Sequence, residues 1–185
     1  MEKVSVPEGT KGDWSIDHFT ITQDGAMWFN IRAGARRVIP GNYTRLNHRS
    51  RGVIMSDTPA EQSDHRAAVR NANGSCLING LGMGMVLHNI LLKPEVTDVI
   101  VVELEQDVID LVAATYLKDP RVTIVHASAF DYVPPKGKKF GMVWHDIWDS
   151  ITADNLPEMT KLHRKYGRRA DWQDSWCKWE CQRDR

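Results

Sequence analysis

Apolar and polar positions divide the chain into three stretches of different rhythm. Up to about residue 55, short apolar pieces (Phe19-Thr20-Ile21-Thr22, Met27-Trp28-Phe29-Asn30-Ile31, Arg37-Val38-Ile39) are separated by turn formers, among them Asp24-Gly25 and Pro40-Gly41-Asn42. Asp-Gly between two such runs is a hairpin signal. This stretch is expected to form a small antiparallel sheet.

The second stretch opens with Ser56-Asp57-Thr58-Pro59, a capping residue followed by proline, which starts a helix expected over 60–72 and ended by Asn73-Gly74. Strands and helices then alternate. Cys76-Leu77-Ile78 reads as a short strand, 83–92 as a helix closed by Lys93-Pro94, and Asp98-Val99-Ile100-Val101-Val102-Glu103 as a strand buried on both faces. A helix over 106–117, a strand over 122–125 and a fourth strand over 140–144 follow. This alternation predicts a parallel sheet with right-handed crossovers.

The third stretch, from about Ser150, reads as helical and rich in Arg and Trp. Arg164, Lys165, Arg168 and Arg169 form a basic cluster, and Trp172, Trp176 and Trp179 follow at helical spacing. Two readings fit: a nucleic-acid surface with stacking aromatics, or a helix whose Trp stripe packs on the sheet or a second subunit. The chain holds 24 Lys+Arg against 24 Asp+Glu, and this zero net charge favours packing over nucleic acid.

Composition adds bounds. The 185 residues suffice for one domain with a real core. No apolar run is long enough to span a bilayer, and Met1-Glu2-Lys3-Val4 lacks a signal-peptide layout. The expectation is a cytoplasmic protein without membrane contact. Three cysteines make no disulfide scaffold. Cys177 and Cys181 are four apart and could share a helix face, and no metal-ligand set accompanies them.

Candidate chemistry gathers after the first strand of the second stretch. Leu77-Ile78-Asn79-Gly80-Leu81-Gly82-Met83-Gly84 lies between a strand and a helix, where glycines let the backbone turn sharply and approach a ligand. A tight structural turn explains such a loop equally well on its own. Glu103 ends the next strand, about twenty residues on, where an acid can accept hydrogen bonds from two ribose hydroxyls. Together they point to a nucleoside site at the carboxyl edge of the sheet. The spacing is not Gly-x-Gly-x-x-Gly, and no phosphate-loop Lys-Ser/Thr is present, which argues against an ATPase or kinase. Beyond the fourth strand, Asp146 and Asp149 stand where open α/β sheets bind ligands. His145 is a candidate base, although packing is its plainer role. Trp144 and Trp148 flank the turn. Asp57, Glu61, Asp64 and His65 lie on the preceding helix, with Glu61 and His65 four apart on one face.

Residues 75–155 resemble class I S-adenosylmethionine-dependent methyltransferases, and among them the spermidine synthase (aminopropyltransferase) branch. The glycine loop resembles that branch's first motif. Val101-Val102-Glu103-Leu104-Glu105-Gln106-Asp107-Val108-Ile109 resembles its ribose-binding strand, and residues 119–130 resemble its Asp-Pro-Arg-Val strand and adenine loop. Val143-Trp144-His145-Asp146-Ile147-Trp148-Asp149 stands where the branch carries Asp-Ser-Ser-Asp. Ser128 replaces an Asp that usually accepts from the adenine amino group, and the polyamine-binding Tyr and Gln signatures are not seen.

The resemblance implies an α/β, Rossmann-like (class I methyltransferase) three-layer sheet, shortened to about four of seven strands. A β-rich extension over 1–55 precedes the cofactor domain with its helical tail over 56–185. Strands of the extension, or a partner subunit, would complete the sheet. It implies S-adenosylmethionine, or its decarboxylated form, as cofactor, held by Asn79, Gly80, Leu81, Gly82, Gly84, Glu103, Leu104, Ser128, Ala129 and Asp146. It further implies Asp146 as proton acceptor and Asp149 as holder of an amine's positive charge. The expected function is methyl transfer to a small amine or hydroxyl acceptor. The alternatives are aminopropyl transfer and a non-catalytic cofactor-binding module or subunit, with a homo-oligomer as possible assembly.

Overall fold

The computed structural model describes residues 1–32 and 37–184. Two sheets form. The first is antiparallel, in the order β1 (Gly9–Lys11), β2 (Trp14–Ile21), β3 (Gly41–His48), β4 (Gly52–Ser56). Strands β2 and β3 pair over their whole length, with Trp14 opposite His48 and Ile21 opposite Gly41. An Asp17–Arg45 fork of 2.7 and 2.9 Å joins them.

The hairpin expected at Asp24-Gly25 is not there. That segment is helix α1 (Gln23–Arg32). The Thr22 hydroxyl accepts from the Gly25 N–H at 3.1 Å and the Thr22 carbonyl from Ala26 at 2.9 Å. A Thr that satisfies first-turn amides starts a helix, and this overrides the Asp-Gly turn signal. The apolar residues Met27, Trp28, Phe29 and Ile31 consequently stand exposed.

The expected helix over 60–72 is interrupted. It forms α2 (Pro59–Asp64) and α3 (Arg66–Asn71), broken at His65. The second sheet is parallel throughout, in the order β7 (Val122–His126), β6 (Val96–Glu103), β5 (Gly74–Asn79), β8 (Phe140–His145), β9 (Ala170–Ser175). Helices α4 (Met85–Leu91) and α5 (Gln106–Tyr116) link β5 to β6 to β7, and α6 (Leu156–Tyr166) links β8 to β9. Helix α7 (Lys178–Arg183) follows.

Alternation along the strands builds three layers. Cys76, Ile78, Val99, Val101, Met142 and Trp144 join one buried cluster with residues of α3, α4 and α5. Leu77, Val102 and Val143 turn the other way, onto Leu162 and Tyr166 of α6. The first sheet packs beside α5, and Trp14 and Ile16 enter the larger cluster.

Strand β9 corrects the reading of the tail as wholly helical. Ala-Asp-Trp-Gln-Asp-Ser is a polar edge strand without the β-branched run that marks buried strands. Trp172, Trp176 and Trp179 therefore form no helical stripe. Trp172 lies on β9 and stacks parallel to Trp144 at 6.2 Å, Trp176 lies in the following turn, and Trp179 is exposed on α7. Among the described residues the parallel sheet thus has five strands, all from residues 74–175, and the N-terminal strands form their own sheet and add none to it.

The Asp-Pro-Arg segment is a staple. Arg121 forks onto Asp119 at 2.7 Å and donates to the carbonyls of Leu91 and Val96. Two members of the basic cluster are likewise engaged. Lys165 donates to the carbonyls of Ala129 and Phe130, and Arg169 to those of Pro135 and Lys138. Cys177 and Cys181 are both buried.

Candidate functional site

Strand order reverses at β5. From it the chain winds outward to β6 and β7 on one side, and β8 and β9 lie on the other. Loops leaving the carboxyl ends of β5 and β8 therefore part in opposite directions and leave a crevice. A cavity of about 390 Å³ occupies it. Its floor comes from Gly80, Gly82, Glu103 and Asp146, one side from Ser128, Ala129 and Phe130, and its roof from Trp14, Arg51 and Met55 of the antiparallel sheet.

Each glycine of the loop has its own cause. A Cβ on Gly80 would lie 1.9 Å from the Asp146 carbonyl oxygen, and the Asp146 N–H donates to the Asn79 carbonyl at 2.8 Å. Gly80 thus lets the two strand ends cross. A Cβ on Gly84 would meet the Tyr116 ring at 2.3 Å, so this glycine serves packing between loop and α5.

Glu103 is 7% exposed and lies on the cavity floor. Its Oε2 accepts from the Leu81 N–H at 2.7 Å and its Oε1 from the Glu105 N–H at 2.8 Å. These bonds orient the carboxylate, and each oxygen keeps acceptor capacity for a ligand hydroxyl. Burial raises its pKa, against the backbone N–H groups that lower it.

Asp146 follows β8. Burial pushes its carboxyl up to about 8, reinforced by the nearby Glu61 and Asp64 charges and by Glu103. The Trp144 indole N–H is close enough to oppose this slightly, without meeting hydrogen-bond geometry. The Nδ1 of His65, buried at the α2–α3 break, is 3.6 Å from the Asp146 carboxyl. Glu61 accepts from the Ser56 N–H and hydroxyl at 2.7 and 2.8 Å, which ties α2 to β4. Asp57 is fully buried and accepts from the Thr44 N–H at 2.7 Å, a structural joint away from the cavity lining.

The predicted residues divide accordingly. Gly80, Gly82, Glu103, Leu104, Ser128, Ala129, Asp146 and Asp149 line the cavity. Asn79, Leu81 and Gly84 do not. Asn79 is buried and bonded to His145 at 2.8 Å, Leu81 contributes its amide to Glu103, and Gly84 packs on Tyr116. Strand alternation explains Asn79: it follows Ile78, which faces the α4 layer, and so points to the α6 layer. His145 is excluded as a base. It is fully buried between Asn79, His163 and Tyr166, and desolvation drives its pKa down to about 3, so it stays neutral. Asp149 is exposed at the cavity mouth and paired with Arg51 at 3.4 Å. Trp148 donates to Glu158 at 2.8 Å.

The roof of the cavity carries no signal in the sequence. Trp14, Arg51 and Met55 are far from the motifs in the chain, and no spacing rule connects them to Gly82. The Arg51 guanidinium lies over the Trp14 ring at 4.8 Å while it reaches Asp149.

The strand order and the alternation of parallel strands with helices define a Rossmann-like α/β fold. Similar solved structures include TrmN from Thermus thermophilus (14% identity, TM-score 0.49, 69% of this chain and 41% of that one). Spermidine synthase from Thermotoga maritima is similar at 22% identity and TM-score 0.44, over 70% and 49%. N-methyltransferase NodS from Bradyrhizobium japonicum is similar at 9% identity and TM-score 0.46, over 60% of each chain. This chain therefore spans between 41% and 60% of those proteins' lengths. No protein-family model and no curated protein matches the sequence. Among the described residues no helix is long and apolar enough to cross a membrane.

Proposed function

We propose that the chain is a transferase that binds an S-adenosyl sulfonium in the 390 Å³ cavity and passes an alkyl group from it to a small amine. The observation that carries this reading is Glu103. A buried carboxylate held by two backbone N–H groups and turned to the cavity is built to accept from vicinal hydroxyls. The Ser128–Phe130 turn supplies a flat wall beside it for a purine, with Phe130 as its aromatic member.

When bound, the sulfonium supplies an electrophilic carbon whose bond to sulfur breaks as the thioether leaves. The residues of this chain bind and orient. Glu103 holds the ribose, and Asp146 takes the proton that the attacking amine must shed. A base with a pKa of about 8 is matched to that task near neutral pH. Placement of the reactants accounts for most of the remaining rate.

Methyl transfer is the reading the motifs lead to. Aminopropyl transfer from the decarboxylated donor is the second, favoured by the carboxylates that crowd the cavity lining: Glu61, Glu103, Glu105, Asp146, Asp149 and Glu158. Incubation of the protein with each donor and a panel of small mono- and polyamines, read by mass spectrometry, separates them by product mass. Nucleoside binding without transfer to any amine would sink the enzyme reading and leave a cofactor-binding module.

A further inference from the structure

The amides of the glycine loop are largely taken. The Gly80 N–H donates to the Val102 carbonyl at 2.8 Å, Leu81 to Glu103 at 2.7 Å, and Gly84 to the Leu81 carbonyl at 2.8 Å. The Met83 N–H donates to the Met55 sulfur at 3.2 Å. A thioether is a weak acceptor, so an ionised group that reached this amide would be the better partner. Met55 belongs to the other sheet. It reaches the loop because β4 carries a bulge: Leu46 pairs with Met55 and Asn47 with Val53, which leaves Ile54 as an extra residue. Bulges re-aim the side chains beside them. The fit is close, since a Cβ on Gly82 would lie 2.3 Å from the Met55 sulfur.

Charge gives a second, independent observation. Beside Asp146, which keeps its proton near neutral pH, five further carboxyl side chains line the cavity, those of Glu61, Glu103, Glu105, Asp149 and Glu158, and the cationic lining residue Arg51 is already paired with Asp149. Such a lining repels an anionic ligand tail, and like-charge contacts are costly in a desolvated site.

Building on the adenosyl reading above, we infer that Met55 selects the tail of the ligand. With its thioether on the Met83 amide, the cavity takes sulfur nucleosides whose tail is neutral or cationic and turns away those bearing an α-carboxylate. The adenosine end of S-adenosylmethionine fits the residues present and its carboxylate does not, which favours the decarboxylated donor of the second reading over the methyl donor of the first.

Calorimetry on the full chain with methylthioadenosine and S-adenosylhomocysteine tests this. The wild type is expected to bind methylthioadenosine at least about tenfold more tightly. Met55→Ala frees both the amide and the space, and should bring the two ligands to within about threefold by strengthening S-adenosylhomocysteine. Met55→Leu keeps the bulk and should keep the preference. Methylthioadenosine affinity at the wild-type level in each variant reports an intact cavity. A wild type that prefers S-adenosylhomocysteine overturns the inference, and this arm needs no variant to fold. An unaltered ratio in Met55→Ala, with methylthioadenosine still bound, overturns the role of Met55 and leaves the adenosyl reading standing. If the wild type binds neither nucleoside, the adenosyl reading fails and the inference falls with it.

Discussion

The carboxyl of Asp146 lies 3.6 Å from the Nδ1 of His65, although one follows a strand of the parallel sheet and the other sits at a break between two helices. The His65 ring meets Trp144 edge-on at 6.0 Å. The break is thus packed against the same strand end that carries Asp146. Helix α2 brings Glu61 and Asp64 to this side, and their charges help hold the Asp146 proton on. A continuous helix over 60–72 would place these residues differently, so the interruption is part of how the site is made.

On the proposed reading, this arrangement should make ligand binding pH-dependent. A sulfonium cation favours the ionised form of Asp146, so its binding should release a proton at pH 7 and tighten as pH rises toward about 8. Calorimetry in two buffers of different ionisation enthalpy measures the release. Asp146→Asn should abolish most of it, and a proton count unaltered in that variant would show that Asp146 is not the group responsible.

The same group governs stability. Asp146 titrates at the ordinary 3.8 when unfolded and near 8 in the fold. The fold binds this proton more tightly, so the stability it contributes is complete below about pH 4 and is lost as pH rises through 8. Asp146→Asn, which stays neutral, should therefore gain in melting temperature over the wild type as pH goes from 5 to 9. Parallel pH profiles for the two proteins would contradict this.

Glu103→Ala should weaken every adenosyl ligand by about 1–3 kcal/mol, or roughly fivefold to over a hundredfold, through lost ribose hydrogen bonds. It also removes the acceptor for the Leu81 N–H, so a drop in melting temperature is expected alongside. Glu103→Gln keeps an acceptor and should fall between. Wild-type affinity in Glu103→Ala would remove the central functional claim.

Gly80→Ala should be severely destabilising. Its Cβ would lie 1.9 Å from a backbone oxygen, and φ there is +100°, a region L residues avoid. A loss of at least about 3 kcal/mol in urea unfolding is expected. Gly74→Ala, also at positive φ but facing open space, should cost less.

Arg51→Ala removes an exposed ion pair, and both side chains are about two-fifths exposed. Stability should alter by less than about 1 kcal/mol. Because Arg51 bridges Trp14 and Asp149 over the cavity mouth, ligand dissociation should quicken. Stopped-flow measurements check this, and an unaltered off-rate would deny the bridge a part in retention.

What was legible in the chain follows from local physics. The run Val96–Glu103 is buried along most of its length, so its hydrophobicity announces a central strand. The glycine loop and Glu103 are legible because a strand, a turn and the next strand end are joined by short covalent distances, and their relative placement is set by the βαβ unit itself. Strand β9 was hidden because an edge strand with few neighbours needs little apolar surface, and α1 because Thr22 acts on the backbone without altering the pattern of apolar residues. That the Asn79 side chain turns from the cavity to His145 was not legible, because side-chain facing at a strand end depends on pleat parity, which loop motifs do not encode.

The sequence by itself determined the class of fold, the order of its central elements and the acid on the cavity floor, since each depends on residues near one another in the chain. Tertiary structure alone decided the roof of the cavity, the closeness of His65 to Asp146 and the contact of Met55 with the Met83 amide. Met55 and Met83 are 28 positions apart, His65 and Asp146 are 81 and Arg51 and Asp149 are 98, and the first sheet comes to the cavity by packing beside α5. A bulge of one residue turns a side chain toward the loop, and no period or motif along the chain records that turn.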